Sequence, residues 1–288
     1  MIIVGKVSIV VRTKDRPLLL KRAIDSILSQ TYTDWEIVLV NSGEDRDLIE
    51  SIMHDFKSKS PNDIILLHIN CNLHIDELIN FGVSRSTGCF VTLLDDDDTW
   101  APSFLEECIS LLKGNEGVDG AVTQTTIIQE TLEGNNIRFK NSYVFNNSLR
   151  RVRGWKIARC NLFTTNSFVY KREAYDKIGG YRKEIPLLGD WEFNMRFYLK
   201  YKIGVIPKPL ANYHKRIDAM NSGKDFYANT SLTKHLIYDR IIRREYLKQG
   251  LTKGPFLFCL LVYLFGYINS FIKLTKSVIY RSDLFFKQ

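Results

Sequence analysis

Between residues 7 and 94 the chain switches repeatedly between two hydrophobic periods, and few architectures accept that rhythm. Val7–Val11, Trp35–Val40, Ile64–Ile69 and Phe90–Leu94 are short apolar runs of strand length. Helical spacing fills the intervals. Pro17–Gln30 carries Leu20, Ala23, Ile24, Ile27 and Leu28 on one face, with Asp15 available as a cap. Asp47–Lys57 carries Leu48, Ile49, Ile52, Met53 and Phe56, and Asp76–Ser86 completes the series. A β-α-β-α-β-α-β order predicts an α/β domain with a mostly parallel, right-handed, doubly wound sheet. Ligands of such sheets bind beyond the carboxyl ends of the strands. Those ends here are Arg12-Thr13-Lys14-Asp15, Asn41-Ser42-Gly43-Glu44, Asn70-Cys71-Asn72 and Asp95-Asp96-Asp97-Asp98.

The last of these ends is unusual. Four consecutive aspartates close the apolar run Cys89–Leu94 and precede Thr99-Trp100-Ala101-Pro102. Carboxylates packed so tightly repel, and burying them unpaired is costly, so a cationic group is expected among them. Hard oxygen donors suit Mg²⁺ or Mn²⁺, which commonly bridge a few carboxylates to substrate phosphates. A solvated acidic loop capping a helix that starts near Pro102 is the plainer reading. The core-like strand leading directly into the cluster favours the metal.

Composition narrows the partners. Residues 201–288 hold 15 Lys+Arg against 5 Asp+Glu, while residues 1–200 hold 25 against 27. A basic C-terminal third on a near-neutral body suits an anionic surface or substrate. Nucleic acid is not expected, since zinc-finger spacing, an RNP-like aromatic signature and a basic region with heptads are all missing. The first βα turn contains neither G-x-G-x-x-G nor G-x-x-x-x-G-K-[ST], which argues against dinucleotide dehydrogenases and P-loop NTPases. Five cysteines (71, 89, 108, 160, 259) without a C-x-x-C pair read as reduced thiols of a cytoplasmic protein. The start, Met1-Ile-Ile-Val-Gly-Lys6, runs into a strand pattern without the layout of a signal peptide.

Beyond residue 119 the texture changes. Ala121–Gln129 and Ile137–Phe145 read as a hairpin around residues 132–136, Asn166–Tyr170 as a short strand, and Ala174–Ile178 as a brief helix. Asp190–Tyr201 is predicted as an amphipathic helix, Ile203–Ile206 and Leu210–Tyr213 as two strands separated by Pro207 and Pro209, and 226–249 as a basic helix. From Gly254 to Ile272 there is no charged residue, yet Lys and Arg flank both sides. A spanning helix would show its basic residues mainly on one side, so the symmetric flanks predict a segment lying in the interface on anionic lipid. A helix packed on the body, or a dimer contact, are the alternatives.

Several stretches together resemble family 2 glycosyltransferases of the GT-A fold. They are Val7–Pro17, Leu20–Gln30, Trp35–Gly43, Asn80-x-Gly82 with Ser86-Thr-Gly88, Leu94–Trp100 and Gly189–Arg196, and the likeness runs over residues 7–216. It implies a Rossmann-like sheet whose residues 1–105 hold a nucleotide sugar and whose residues 106–216, with a small mixed sheet, hold the acceptor. Residues 217–288 lie outside it as C-terminal helices, with membrane contact expected through 251–288. By the same likeness Asp97 and Asp95 are the metal-binding D-x-D carboxylates, and Asp96 faces ribose or donor sugar. Thr13, Asp15, Ser42 and Glu44 line the nucleotide. Asp190 is the catalytic base, and His214 and Arg216 close on the diphosphate. Trp191, Trp155 and Asn166 are candidates for a sugar-binding floor, although core packing explains them equally well. Asp190 also fits a plain N-cap, and Glu192/Arg196 a surface ion pair.

Two departures from the family pattern stand out. An acidic residue usual after the second strand is replaced by the turn Asn41-Ser42-Gly43-Glu44, and an arginine usual before Asn80 is Ile79. The resemblance implies an inverting, metal-dependent transferase on the inner face of the cell membrane. It would move a sugar from a nucleoside diphosphate, UDP in the first instance, to a glycan on polyprenyl diphosphate, as in O-antigen or capsule assembly. Transfer onto polyprenyl phosphate, or a non-catalytic nucleotide-sugar-binding scaffold, are the alternatives.

Overall fold

A computed structural model describes residues 2–70, 73–134, 136–217, 232–252 and 254–267. The chain divides into two units: Met1–Val152 with Leu162–Asn229, and Arg153–Asn161 with Thr230–Gln288.

The first unit is built on the alternation anticipated from sequence: β1 (Ile3–Thr13), α1 (Pro17–Leu28), β2 (Trp35–Asn41), α2 (Arg46–Lys57), β3 (Ile64–His68), α3 (Ile75–Ser84) and β4 (Gly88–Asp95). These four strands pair in parallel in the order β3-β2-β1-β4. Registers Arg12↔Asp95, Thr13↔Asn41 and Asn41↔His68 bring all four carboxyl ends to one edge. Ile9, Val11, Ile37, Leu39 and Leu94 are sealed against Leu20, Ile24 and Ile27 of α1 in a single apolar cluster. At roughly 1.5–3 kcal/mol per buried aliphatic side chain, this packing is what holds the edge in place.

The remaining strands make the sheet mixed. They are β5 (Thr99–Trp100), β6 (Val118–Glu133), β7 (Asn136–Val144), β8 (Phe168–Lys171) and β9 (Lys202–Arg216), with α4 (Phe104–Gly114), α6 (Arg172–Ile178) and α7 (Gly189–Lys200) among them. The sheet continues from β4 as β8-β6-β9-β5, and β7 pairs with β6. Where two strands were anticipated around Pro207 and Pro209, one strand, β9, runs through. Register shifts at Thr123/Gln124 and Gln124/Thr125 of its partner β6 absorb the prolines, which cannot donate to a ladder. The two-residue β5, which no periodicity could announce, pairs Thr99 with Asn212 and so draws the acidic loop to the end of β9.

Two residues of the Asn80-x-Gly82 stretch make structural contacts. Asn80 of α3 bonds the backbone N–H and C=O of Tyr181 (2.9 and 2.7 Å) and accepts from the Tyr175 hydroxyl, anchoring the segment that leads to α7. Gly82 lies so close to Val10 that a Cβ would meet Val10 Cγ1 at 2.5 Å. Ile79, in place of the usual arginine, is buried in the core.

The second unit comprises α5 (Gly154–Arg159), α8 (Leu232–Thr252) and a helix over 256–267, here α9. No helix among the described residues is long and apolar enough to cross a membrane. Residues 226–231 of the anticipated basic helix, and 268–288 of the tail, lie outside the described residues.

Candidate active site

The carboxyl edge of β1–β4 carries the acidic cluster, and arginines from distant segments close on it. Arg12, at the end of β1, pairs with Asp95. Asp96 is fully buried: it accepts from the Thr13 hydroxyl at 2.7 Å and from Arg16 Nε at 3.1 Å. Asp97 Oδ2 accepts from Arg16 Nη1 at 2.9 Å and from Arg216 Nη2 at 2.8 Å, while the Asp97 backbone carbonyl accepts from Arg22. Asp98 turns inward and accepts the backbone N–H of His214 at 3.0 Å. Burial drives the Asp98 carboxyl well up, and the charges of Asp97 and Asp95 add to it. Burial likewise raises Asp96, with the Arg16 charge opposing. The cationic company anticipated for the cluster is therefore present as side chains.

Behind the cluster lies a buried relay. Glu130 of β6 receives both Nη groups of Arg22 (2.9 and 3.0 Å) and His214 Nδ1 (2.9 Å), and His214 Nε2 meets the Thr99 hydroxyl at 2.9 Å. Burial works to raise the Glu130 carboxyl, but the His214 and Arg22 hydrogen bonds outweigh it and hold it at about 2. Such a network fixes the end of β9 against the acidic loop.

Among the described residues, no group of three His, Cys, Asp or Glu side chains forms a ready metal cage. The donor set still fits a hard cation that takes one or two carboxylates and completes its shell with water and substrate phosphates. Asp97, at the rim, and Asp95 would be those carboxylates.

At the ends of β1, β2 and β3, Lys14, Ser42, Gly43, Glu44, Arg46, Ile69 and Asn70 line an open cavity of about 450 Å³. Asp15 stands at its edge with φ of 53° and accepts the Glu44 N–H at 2.9 Å. Of the sequence-predicted donor residues, Ser42 and Glu44 line this cavity and Asp15 shapes its turn. Thr13 is buried beneath Asp96.

Asp190 is the second residue of α7, half-buried, with its Oδ1 accepting the Trp191 N–H at 2.8 Å. Leu188, just before the helix, has φ of 66°. Asp15 and Leu188 are the two positive-φ residues other than glycine among the described residues, and both adjoin proposed site residues. Backbone strain of this kind, worth on the order of 1–3 kcal/mol, concentrates at functional sites. Asp76, which sequence reasoning passed over, packs against the start of α7. Asp76 Oδ2 lies where a Cβ on Gly189 would come within 2.5 Å of it. Burial pushes the Asp76 carboxyl up to about 7; Arg12 opposes that rise, and Asp190 and Glu192 add to it. Asp76 thus feels the charges of both Arg12, the partner of Asp95, and Asp190. Tyr213, whose ring is exposed, has its hydroxyl raised by desolvation and then by the charges of Asp98, Asp97, Asp95 and Asp190.

The residues anticipated for a sugar floor differ in burial. Trp191 is 2% exposed in the core, and Asn166 is buried, bonded to the Asn212 carbonyl at 3.0 Å and to the Thr164 hydroxyl at 2.6 Å. Trp155 is exposed, but it belongs to the second unit. The Glu192–Arg196 pair forms, though not on the surface as anticipated. Glu192 is 1% exposed and takes Arg196 Nε at 2.7 and 2.9 Å, while Arg196 also holds the carbonyls of Ile178 and Gly180. Beneath that loop a lone Glu would be an unpaired buried charge.

Comparison with known proteins follows the same outline. The family model "Glycosyl transferase family 2" matches residues 8–179. An uncharacterized glycosyltransferase of Nostoc sp. (strain PCC 7120) is 25% identical over 189 residues, 60% of this chain and 53% of that protein. The chain therefore spans about half the length of that relative. Among solved structures, Staphylococcus aureus TarS 1–349 in complex with UDP-GlcNAc superposes with a TM-score of 0.65 at 17% identity, covering 84% of this chain and 66% of that one. The mannosyltransferase PcManGT from Pyrobaculum calidifontis, in complex with GDP-Man and Mn²⁺, gives a TM-score of 0.66 at 17% identity, covering 91% and 69%. At such identities the likeness concerns the fold, a curled, parallel-rich GT-A sheet.

Proposed function

The chain belongs to glycosyl transferase family 2, and from that membership we propose that it transfers a sugar, with inversion, from a nucleoside diphosphate sugar to a glycan hydroxyl. The observation that carries this reading is the electrostatic coupling of two kinds of group. Asp95 and Asp97 lie with their arginines at the carboxyl edge of the parallel strands, and Asp76, packed on the start of α7, feels the charges of both Arg12 and Asp190. This supports a leaving-group side at the aspartates and a base at Asp190.

The base and ribose would occupy the cavity at Ser42 and Glu44, beside Asp15 and Thr13. Because TarS and PcManGT bind UDP-GlcNAc and GDP-Man, a nucleotide sugar is the natural donor class, and UDP is the base we propose first. Mg²⁺ or Mn²⁺ would be held by Asp97 and Asp95, and when bound it neutralises charge on the departing diphosphate. Arg16 and Arg216 hold Asp97 in place and are near enough to pair with phosphate oxygens once a donor enters. Asp96, expected to face ribose or donor sugar, is fully buried and would instead hold Thr13 and Arg16 in place beneath the donor. Asp190 takes the proton of the attacking hydroxyl. A base on one side of the anomeric carbon and the leaving group on the other give inversion. Trp191 and Asn166 would support the acceptor side from within the core.

The acceptor we propose is a glycan on polyprenyl diphosphate in surface-polysaccharide assembly, with residues 251–288 resting on the inner face of the cell membrane. Exposed Leu251, Phe256, Leu257 and Leu264 support surface contact. Asp190→Asn tests the catalytic reading. It should lower transfer by roughly 10²–10⁴-fold with donor affinity near normal. Undiminished transfer would refute Asp190 as base. Donor binding by wild type without turnover on any acceptor would favour the scaffold alternative.

A further inference from the structure

In the second unit α8 and α9 approach closely because two glycines allow it. A Cβ on Gly250 would meet Cys259 Cβ at 2.5 Å, and one on Gly266 would meet Arg243 Cδ at 2.5 Å. Arg243 is buried at this seam. It pairs with Asp239 at 2.9 Å and donates to the carbonyls of Ala158, Arg159 and Val262, so its charge is consumed within the unit. Arg240 and Arg244 are different. Both are exposed, and neither makes an ion pair with another described residue. With Tyr263, Gly266 and Tyr267 they line a cavity of about 230 Å³ whose acid, Asp239, is already matched by Arg243.

The arrangement has the chemistry of a phosphate site. Two guanidinium forks one helical turn apart face two tyrosines one turn apart, whose hydroxyls meet at 2.7 Å. Planar forks suit phosphate oxygens, and a tyrosine hydroxyl adds a donor. The surroundings are apolar: Leu264 and Tyr267 are 45% and 62% exposed on α9, with Leu257 at 70% on the same helix. A cationic notch fringed by exposed apolar side chains matches the interfacial zone of a bilayer better than bulk water.

We infer that the notch between Arg240, Arg244, Tyr263 and Tyr267 binds the phosphate of an anionic phospholipid headgroup. The inference deepens the membrane-surface reading and rests on it, but not on the transfer reaction. The test is cosedimentation of the full chain with vesicles of equal parts phosphatidylglycerol and phosphatidylcholine. Arg240→Gln with Arg244→Gln should weaken binding by roughly twentyfold or more. Tyr263→Phe with Tyr267→Phe should weaken it by a smaller factor. Lys234→Gln with Lys248→Gln removes the same charge from the same helix and should cost several-fold less than the arginine pair. Unchanged circular dichroism and melting temperature confirm that each variant folds.

Equal losses in the arginine and lysine pairs would overturn the notch in favour of diffuse attraction. Wild-type binding in the arginine variant would overturn the notch and leave the surface reading standing, whereas no binding by wild type would remove both. Inorganic phosphate that raises the wild-type melting temperature, without vesicle binding, would assign the notch to a soluble phosphate instead.

Discussion

Arg216 Nη2 donates to Asp97 Oδ2 at 2.8 Å across a separation of 119 residues. The bond joins the last residue of β9 to the loop after β4, so the two halves of the first unit close on one carboxylate. On the proposed reading, an arginine whose fork points at this rim would also meet a diphosphate bound against Asp97. Arg216→Ala should therefore lower kcat/KM by about 10²-fold, and Arg216→Lys, which keeps charge but not the fork, should recover only part. Steady-state transfer rates with donor varied are the check.

The Glu130 relay predicts a stability effect with a defined pH window. Its carboxyl sits at about 2 in the fold against 4.5 unperturbed. A depressed carboxylate contributes stability that is present above the unfolded value and lost as pH falls through the folded one. Glu130→Gln should cost about 3 kcal/mol at pH 7, since it removes the charge and one of the two carboxylate oxygens that hold Arg22 and His214. The difference from wild type should shrink between pH 4.5 and 2. Urea denaturation over that range measures it.

Asp76 carries the opposite sign. Its carboxyl is raised from 3.8 to about 7, so the folded state holds the proton more tightly and the group's contribution declines as pH rises across that interval. Asp76→Asn, which removes a buried charge, should stabilise the protein at pH 8 by up to about 4 kcal/mol and do little at pH 4. The same change should slow transfer about tenfold, because a costly carboxylate pressed against Gly189 is retained for the site rather than for the fold. Thermal melts at the two pH values and a rate at pH 8 decide it.

What could be read in advance divides along physical lines. The parallel block was legible because each of its strands and helices repeats one period over several residues, and the carboxyl edge followed from topology alone. The acidic cluster was legible because four adjacent charges after an apolar strand have few explanations. Its partners were not. Arg12 and Arg16 lie within Val7–Pro17 and Arg22 within Leu20–Gln30, yet nothing local says that Arg22 meets Glu130 across 108 residues. Asp76 reads as an ordinary first-turn acid of α3, and only packing against Gly189 distinguishes it. The hint available was its position, four residues before the Asn80-x-Gly82 motif. Trp191 and Asn166 were read from residue type, which does not tell a surface aromatic or amide from a buried one.

The central claim is that carboxylates at the end of β4 hold the diphosphate of a sugar donor through a divalent cation. Thermal shift of wild type and Asp97→Asn with UDP, GDP and their sugars, each with Mn²⁺ or with EDTA, tests it most directly. A rise in melting temperature for one nucleotide series, dependent on Mn²⁺ and abolished by Asp97→Asn, is the predicted result. An equal rise in EDTA, or in the Asp97→Asn protein, would contradict it.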